Sequence, residues 1–527
     1  MSPKTRCLLL AIPLLLISGL QPRAEFVRSA INLPASTSAL RTDYDFDGDG
    51  RFDVLVVFQR RILIFLQKAD STFPTAPDVE IGSGNPIPKE YAAVAAGKVV
   101  SAKGTQLLLV GPNGVDYLTM AQMTGQTNEP VEPKSLIQRP FDLTAGPYLE
   151  FLDAALDFDR NGRTDILLPN SDQLEIYKPG AEGRFAQAGK VYLPQQSAQR
   201  TAMRGEPTIL GASFLGESDP VSLVQTTPRL DRWYGLQFGT ESYSDAFLVT
   251  DYNLDGRLDL LTKSRVFYQN EAGGFDGTQS DVFDQIATSY GVQSRHLVAA
   301  PNLVDFNADG ILDTFSVQTM PSKTNPRTDV SVFLGKPDRT FPKEPSFVLK
   351  TRDLTYSDLL PLGDVNGDGC IDIALIHLDF QASSPSSQLK AYLRNGLDAQ
   401  LCFYLWDKKK NRFNEVYDFN QSLLLSYDIY GARQLFQQQI VMNTDMDGDG
   451  KPDLVLKSGA EEISIFRNQG GIKGFTSKPE QKLSTSPTKF SSLRVQDLNG
   501  DKRGDVVVNG YVDDQEDRVI YSFFVSR

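Results

Sequence analysis

Asp445-Met446-Asp447-Gly448-Asp449-Gly450-Lys451-Pro452-Asp453 runs directly into Leu454-Val455-Leu456. The stretch sets carboxylates at positions 1, 3, 5 and 9 of a turn and then enters an apolar, β-branched run. Alternate residues of a tight turn can aim their side chains at one point, and a glycine at position 6 permits the sharp bend. The run that follows has the length and composition of a buried strand.

The frame D-x-D/N-x-D/N-G/K-x-x-D occurs seven times, this copy being the sixth. The first loop offers Asp45, Asp47, Asp49 and Asp53, and the second Asp157, Asp159, Asn161 and Asp165. The third offers Asp251, Asn253, Asp255 and Asp259, and the fourth Asp305, Asn307, Asp309 and Asp313. The fifth offers Asp364, Asn366, Asp368 and Asp372, and the seventh Asp497, Asn499, Asp501 and Asp505. Position 7 adds a backbone carbonyl from Arg51, Arg163, Arg257, Ile311, Cys370, Lys451 or Arg503.

The loops start 112, 94, 54, 59, 81 and 52 residues apart. Three spacings near 55 set the unit, and each of the two widest gaps is expected to hide a unit without ligands. One spans Gly97 to Val110 and the other Gly211 to Val224. The 81-residue gap reads as an insertion around Cys402 to Phe436. After each loop strand comes a second, alternating strand such as Val330–Leu334 or Ile463–Phe466. Then follow a turn ending in Phe73, Phe185, Phe275, Phe341 or Phe475 and a third strand. With the strand that enters the loop, the unit has four short antiparallel strands and no long amphipathic helix. Four strands in about 50 residues, repeated, are the signature of a β-propeller blade. The expected fold is all-β, a propeller of about 7–9 blades over residues 25–527. Phe26–Leu33 resembles the strand that ends other units, and the C-terminal Val519–Val525 stops one strand short. The N-terminal strand is therefore expected to complete the last blade and remove a free sheet edge.

Hard oxygen donors from side chains and one carbonyl suit Ca²⁺, which takes six to eight oxygens, better than Mg²⁺. No histidine holds a ligand position and Cys370 offers only its carbonyl, which disfavours zinc and copper. One Asp-Gly loop would be an ordinary turn; seven in register, each followed by a strand, point to metal, up to seven Ca²⁺. An EF-hand needs Glu at position 12 and a following helix, whereas position 12 here is Val56, Leu168, Thr262, Ser316, Leu375, Leu456 or Val508. The first and sixth loops carry four carboxylates and should bind most tightly. The seventh has Lys502 in place of glycine, a strained and cationic choice, and is expected to be weakest.

Asp364-Val365-Asn366-Gly367-Asp368-Gly369-Cys370-Ile371-Asp372 and the sixth loop resemble the FG-GAP or VCBS repeats of bacterial exported proteins. They are also similar to the calcium-binding blades of integrin α-subunit propellers. The resemblance implies a propeller with Ca²⁺ in loops between the first and second strands of its blades.

The N-terminus reads as a secretory signal over residues 1–24: Lys4 and Arg6, then an apolar run from Leu8 to Leu20 too short to span a bilayer. No later apolar run is long enough for a membrane helix. The mature chain is expected outside the cytoplasm, periplasmic or secreted, and monomeric. Its loss of Lys4, Arg6 and Arg23 takes the net charge from −13 to −16, and seven Ca²⁺ would bring it to about −2. The acidic balance excludes a nucleic-acid partner, which needs a basic stripe. Cys370 and Cys402 are either a disulfide or two buried thiols.

Catalytic motifs are missing: no G-x-S-x-G elbow, phosphate loop or zinc motif appears, and only His296 and His377 are present. Arg503-Gly504-Asp505 spells an attachment tripeptide, but Asp505 is expected to face the metal. Phe403-Tyr404-Leu405-Trp406 with Lys408-Lys409-Lys410 reads as a hairpin for partner contact. The leading reading is an exported calcium-binding propeller that binds protein or glycan without catalysis. The alternative is a lyase-like enzyme acting on polysaccharide.

Overall fold

The computed structural model describes residues 25–527 apart from 193–231, 280–301, 352–361, 427–439 and shorter stretches. The expected signal segment 1–24, the unit at Gly211–Val224 and His296 lie outside the described residues. Among the described residues, eight sheets of four or five strands follow one another along the chain. In the first blade Thr37–Tyr44, Asp53–Phe58, Arg61–Phe65 and Val79–Ile81 pair antiparallel in chain order. The others repeat that core, with Glu150–Phe151 added parallel at the edge of the second sheet, Arg232–Tyr234 added to the fourth and the N-terminal strand ending the eighth, and each sheet is open rather than closed on itself.

The second strand of each blade explains why the loops lead into unbroken apolar runs. Successive strand residues face opposite sides of a sheet, and each sheet here is covered on both sides. Val54 and Val56 pack with Val507 and Phe523 of the eighth blade, whereas Leu55 and Val57 pack with Val94 and Leu107 of the second. Such a strand needs apolar residues on both faces. Comparable apolar clusters join each blade to the next, from the first to the eighth, and the eighth to the first.

The N-terminal strand completes the eighth blade. Phe26–Pro34 lies antiparallel to Arg518–Ser526, with Phe26 opposite Ser526 and Pro34 opposite Arg518. The ligand-free unit at Gly97–Val110 is a true blade, the second, built from Ala93–Gly97, Gln106–Gly111, Gly114–Leu118 and Lys134–Gln138. The third and fourth blades pack directly through Leu174 and Ile176 against Leu260 and Phe267, so no described sheet stands between them.

The expected insertion around Cys402 is corrected. Gly396–Tyr404 and Phe419–Ser426 are the third and fourth strands of the sixth blade. Between them Trp406–Asp407 and Arg412–Phe413 form a short hairpin, with Phe413 ending the turn as Phe73 and Phe341 do in their blades. Trp406 is 2% exposed and stacks on Phe306 at 5.6 Å between ring centroids. Phe403, fully buried, stacks on Phe419 at 4.5 Å. Burying each ring of that size is worth about 1.5–3 kcal/mol, so this segment is scaffold and not a detachable contact hairpin. Cys370 and Cys402 are buried in the same core and are not joined by a disulfide.

Candidate metal centre

Each loop is wound by two residues with positive φ. Position 6 is one: Gly50 at 93°, Gly162 at 84°, Gly256 at 94°, Gly310 at 78°, Gly369 at 86°, Gly450 at 83° and Lys502 at 69°. Position 4 is the other, and it was not legible, because Arg160 at 53°, Leu254 at 57° and Ala308 at 59° adopt it beside four glycines. The double twist turns backbone amides inward onto the position 1 carboxylate. Asp445 accepts Gly448 N–H and Gly450 N–H, both at 2.7 Å. Asp45, Asp364 and Asp497 are held in the same way. In the seventh loop Lys502 supplies the amide that glycine gives elsewhere, at 2.9 Å.

Position 9 is a clamp. Asp53 accepts Phe46 N–H at 2.7 Å and Gln67 N–H at 2.9 Å, tying the loop to the end of the third strand. Asp259, Asp313, Asp372, Asp453 and Asp505 repeat both contacts. Burial pushes the pKa of all seven, Asp165 included, up to about 7 against those amide bonds. In the second blade, where carboxylates are lacking, Gln106 takes over the clamp: its Oε1 accepts Val99 N–H at 2.8 Å and Val100 N–H at 3.1 Å.

Carboxylate oxygens of positions 1, 3 and 9 converge within 4.8 Å in three loops: Asp45, Asp47 and Asp53; Asp157, Asp159 and Asp165; Asp445, Asp447 and Asp453. A cation with oxygens at about 2.3–2.6 Å spans that separation. These are the loops with aspartate at position 3. Where position 3 is asparagine, its amide donates to the position 5 carboxylate: Asn253 to Asp255 at 3.1 Å, Asn307 to Asp309 at 3.0 Å, Asn366 to Asp368 at 3.1 Å and Asn499 to Asp501 at 3.2 Å. Position 5 is not among the three converging residues. Its oxygens accept the amide of position 7 (Arg51, Arg257, Ile311, Cys370, Lys451, Arg503), as does Asn161 from Arg163. Basic residues at position 7 also pair with it through their side chains, as Lys451 does with Asp449 at 2.6 Å and Arg257 with Asp255 at 2.7 Å.

The electrostatics separate the loops further. Burial, then the neighbouring carboxylates, raise Asp47 and Asp447 above the ordinary carboxylate value, and the more distant charges of Lys103 and Arg467 offset this only in part. Burial also pushes Asp159 upward, but the hydrogen bond and charge of Lys178 outweigh it and its pKa falls below the ordinary value.

Consecutive loops are stapled across the blade seams. Position 8 donates its N–H to the carbonyl at position 1 or 2 of the preceding loop: Phe52 to Leu498 at 2.8 Å, Leu258 to Phe158 at 3.1 Å, Ile371 to Phe306 at 3.0 Å and Gly504 to Asp445 at 2.8 Å. Thr105 does the same toward Asp45 at 2.7 Å. Asp505 is fully buried and Arg503 pairs with Asp501, so the Arg-Gly-Asp tripeptide is structural. His377 is half-buried on a strand of the sixth blade. Among the described residues, no helix is long and apolar enough to cross a membrane.

Residues 305–375 and 445–508 match the FG-GAP-like repeat family. No curated protein matches the chain. A solved Agrocybe aegerita lectin that recognises non-reducing terminal N-acetylglucosamine is 14% identical, with 94% of this chain and 98% of that chain covered and a TM-score of 0.41. The V. cholerae biofilm matrix protein Bap1 is 10% identical, with 95% and 88% covered and a TM-score of 0.33. BBS1N, solved with ARL6DN, is 8% identical, with 94% and 96% covered and a TM-score of 0.29. These two segments, similar to FG-GAP-like repeats, take in the fourth, fifth, sixth and seventh Asp/Asn frames.

Proposed function

We propose that this chain is an exported calcium-binding propeller that presents a surface to a protein or glycan partner, with Ca²⁺ structural in its loops. The observation that carries the metal reading is the convergence of positions 1, 3 and 9 on one point in the first and sixth loops, in the same place of the first and seventh blades. When bound, Ca²⁺ supplies positive charge to clustered carboxylates that otherwise repel one another. The chain does the rest: paired positive-φ residues aim the carboxylates inward, position 9 anchors the loop to its blade, and the seam hydrogen bonds pass that rigidity to the neighbouring blade. Rigid blades hold connecting loops in a fixed array, which is how repeat scaffolds recognise extended partners.

Thermal unfolding with Ca²⁺ and with EDTA tests the metal reading; equal melting temperatures would refute it. A protein and glycan array, run in both conditions, tests the binding reading. Unsaturated, ultraviolet-absorbing products released from acidic polysaccharides would assign a lyase instead. N-terminal sequencing of the protein recovered outside the cytoplasm tests export, which requires removal of a segment near Ala24.

A further inference from the structure

The second loop departs from the other six at two adjacent residues. Opposite position 9, on the third strand of its blade, stands Lys178; the register puts Leu66, Tyr268, Leu334, Leu405, Arg467 and Val525 at the matching places. The next residue is Pro179, where every other loop has a backbone N–H that donates to Oδ1 of the position 9 aspartate. Proline has no N–H. Asp165 is therefore fully buried with an Oδ1 that has no hydrogen-bond partner. A buried carboxylate oxygen left so is costly unless a positive charge compensates it.

The charge is at hand. Lys178 Nζ lies 2.5 Å from Asp159 Oδ2, and its side chain is 17% exposed. Gly273 of the next blade roofs it: a Cβ there would overlap the ammonium. Arg467 holds the same register in the sixth loop but behaves differently. It stands 4.0 Å from Asp447, is drawn toward Glu480 at 3.6 Å, and is followed by Asn468, whose N–H keeps the clamp on Asp453.

We propose that Lys178 is the resident cation of the second loop: its ammonium takes the place of the metal, and this loop is closed without Ca²⁺. The inference rests on the calcium reading for the first and sixth loops, and it lowers the number of sites below seven.

The test counts Ca²⁺ bound to the full chain by equilibrium dialysis, for the wild type, Asp159→Asn and Lys178→Met. Asparagine at position 3 is native to four other loops, so the first variant is expected to fold. Asp159→Asn should leave the number unchanged, and Lys178→Met should add one. A loss of one Ca²⁺ in Asp159→Asn, or no gain in a folded Lys178→Met, overturns the proposal. If Lys178→Met does not fold, the Asp159→Asn count decides. A wild type that binds no Ca²⁺ at all refutes the calcium reading instead. The resident cation then stands or falls on melting in EDTA: Lys178→Met must melt several degrees lower, and an unchanged melting temperature overturns it.

Discussion

The side-chain amide of Asn468 donates to the carbonyl of Val365 at 2.8 Å, across the seam between the sixth and seventh blades. In the first, third, fifth and seventh loops a backbone N–H at position 8 makes this bond, but position 8 of the sixth loop is Pro452. Asn468 also donates to the Pro452 carbonyl at 2.8 Å, so one side chain replaces the missing amide and spans both loops. Asn468 is 1% exposed. Removing it leaves buried carbonyls unsatisfied, which costs about 1–3 kcal/mol. Asn468→Ala should lower stability by that amount in urea unfolding, and adding Pro452→Ala, which restores an N–H, should recover part of it. A neutral Asn468→Ala would show that the seam bond contributes nothing.

Lys502 has a φ of 69° where six other loops have glycine. A side chain in that conformation costs about 1–2 kcal/mol. Lys502→Gly should raise stability by about 1 kcal/mol and tighten Ca²⁺ binding at the seventh loop. A less stable variant would mean that the lysine makes a compensating contact.

The seven position 9 carboxyls have pKa values of about 7 in the folded chain, through burial, against 3.8 ordinarily. A raised folded value means that the folded state holds the proton more tightly. That contribution is complete below about pH 4 and is lost as pH rises through about 7. In EDTA the melting temperature should therefore fall between pH 5 and pH 7.5. With Ca²⁺ present the trend should weaken or reverse, because the metal binds the ionised form. A metal-free profile that rises with pH over this range would contradict the burial argument.

Much of this arrangement was legible in the sequence because the residues that matter are chemically distinctive. Asp445, Asp447 and Asp453 announce a cluster, and Val54-Leu55-Val56-Val57 announces a strand covered on both faces. The closing strand was legible from the one-strand deficit at Val525. What stayed hidden depends on backbone geometry that many residues accept. Arg160, Leu254 and Ala308 take a left-handed conformation without any glycine to mark it. Gln106 replaces an aspartate because its side-chain oxygen can accept two amides, and nothing in its neighbourhood advertises that. Phe413 ends a turn filled by three lysines, so from sequence the buried aromatic run before it reads as a surface element. The role of Pro179 is a missing hydrogen bond, visible only once the strands are in register.

The proposed function requires metal to hold the carboxylate clusters of the first and sixth loops. The direct measurement is the melting temperature of the purified chain after EDTA and after return of Ca²⁺, with bound Ca²⁺ counted in parallel. Each site held at 100 times its dissociation constant adds about 2.7 kcal/mol. The expected result is at least two Ca²⁺ per chain, a lower melting temperature in EDTA, and loss of one Ca²⁺ each from Asp47→Ala and Asp447→Ala. A chain that binds no Ca²⁺ and melts at the same temperature in both conditions would contradict it.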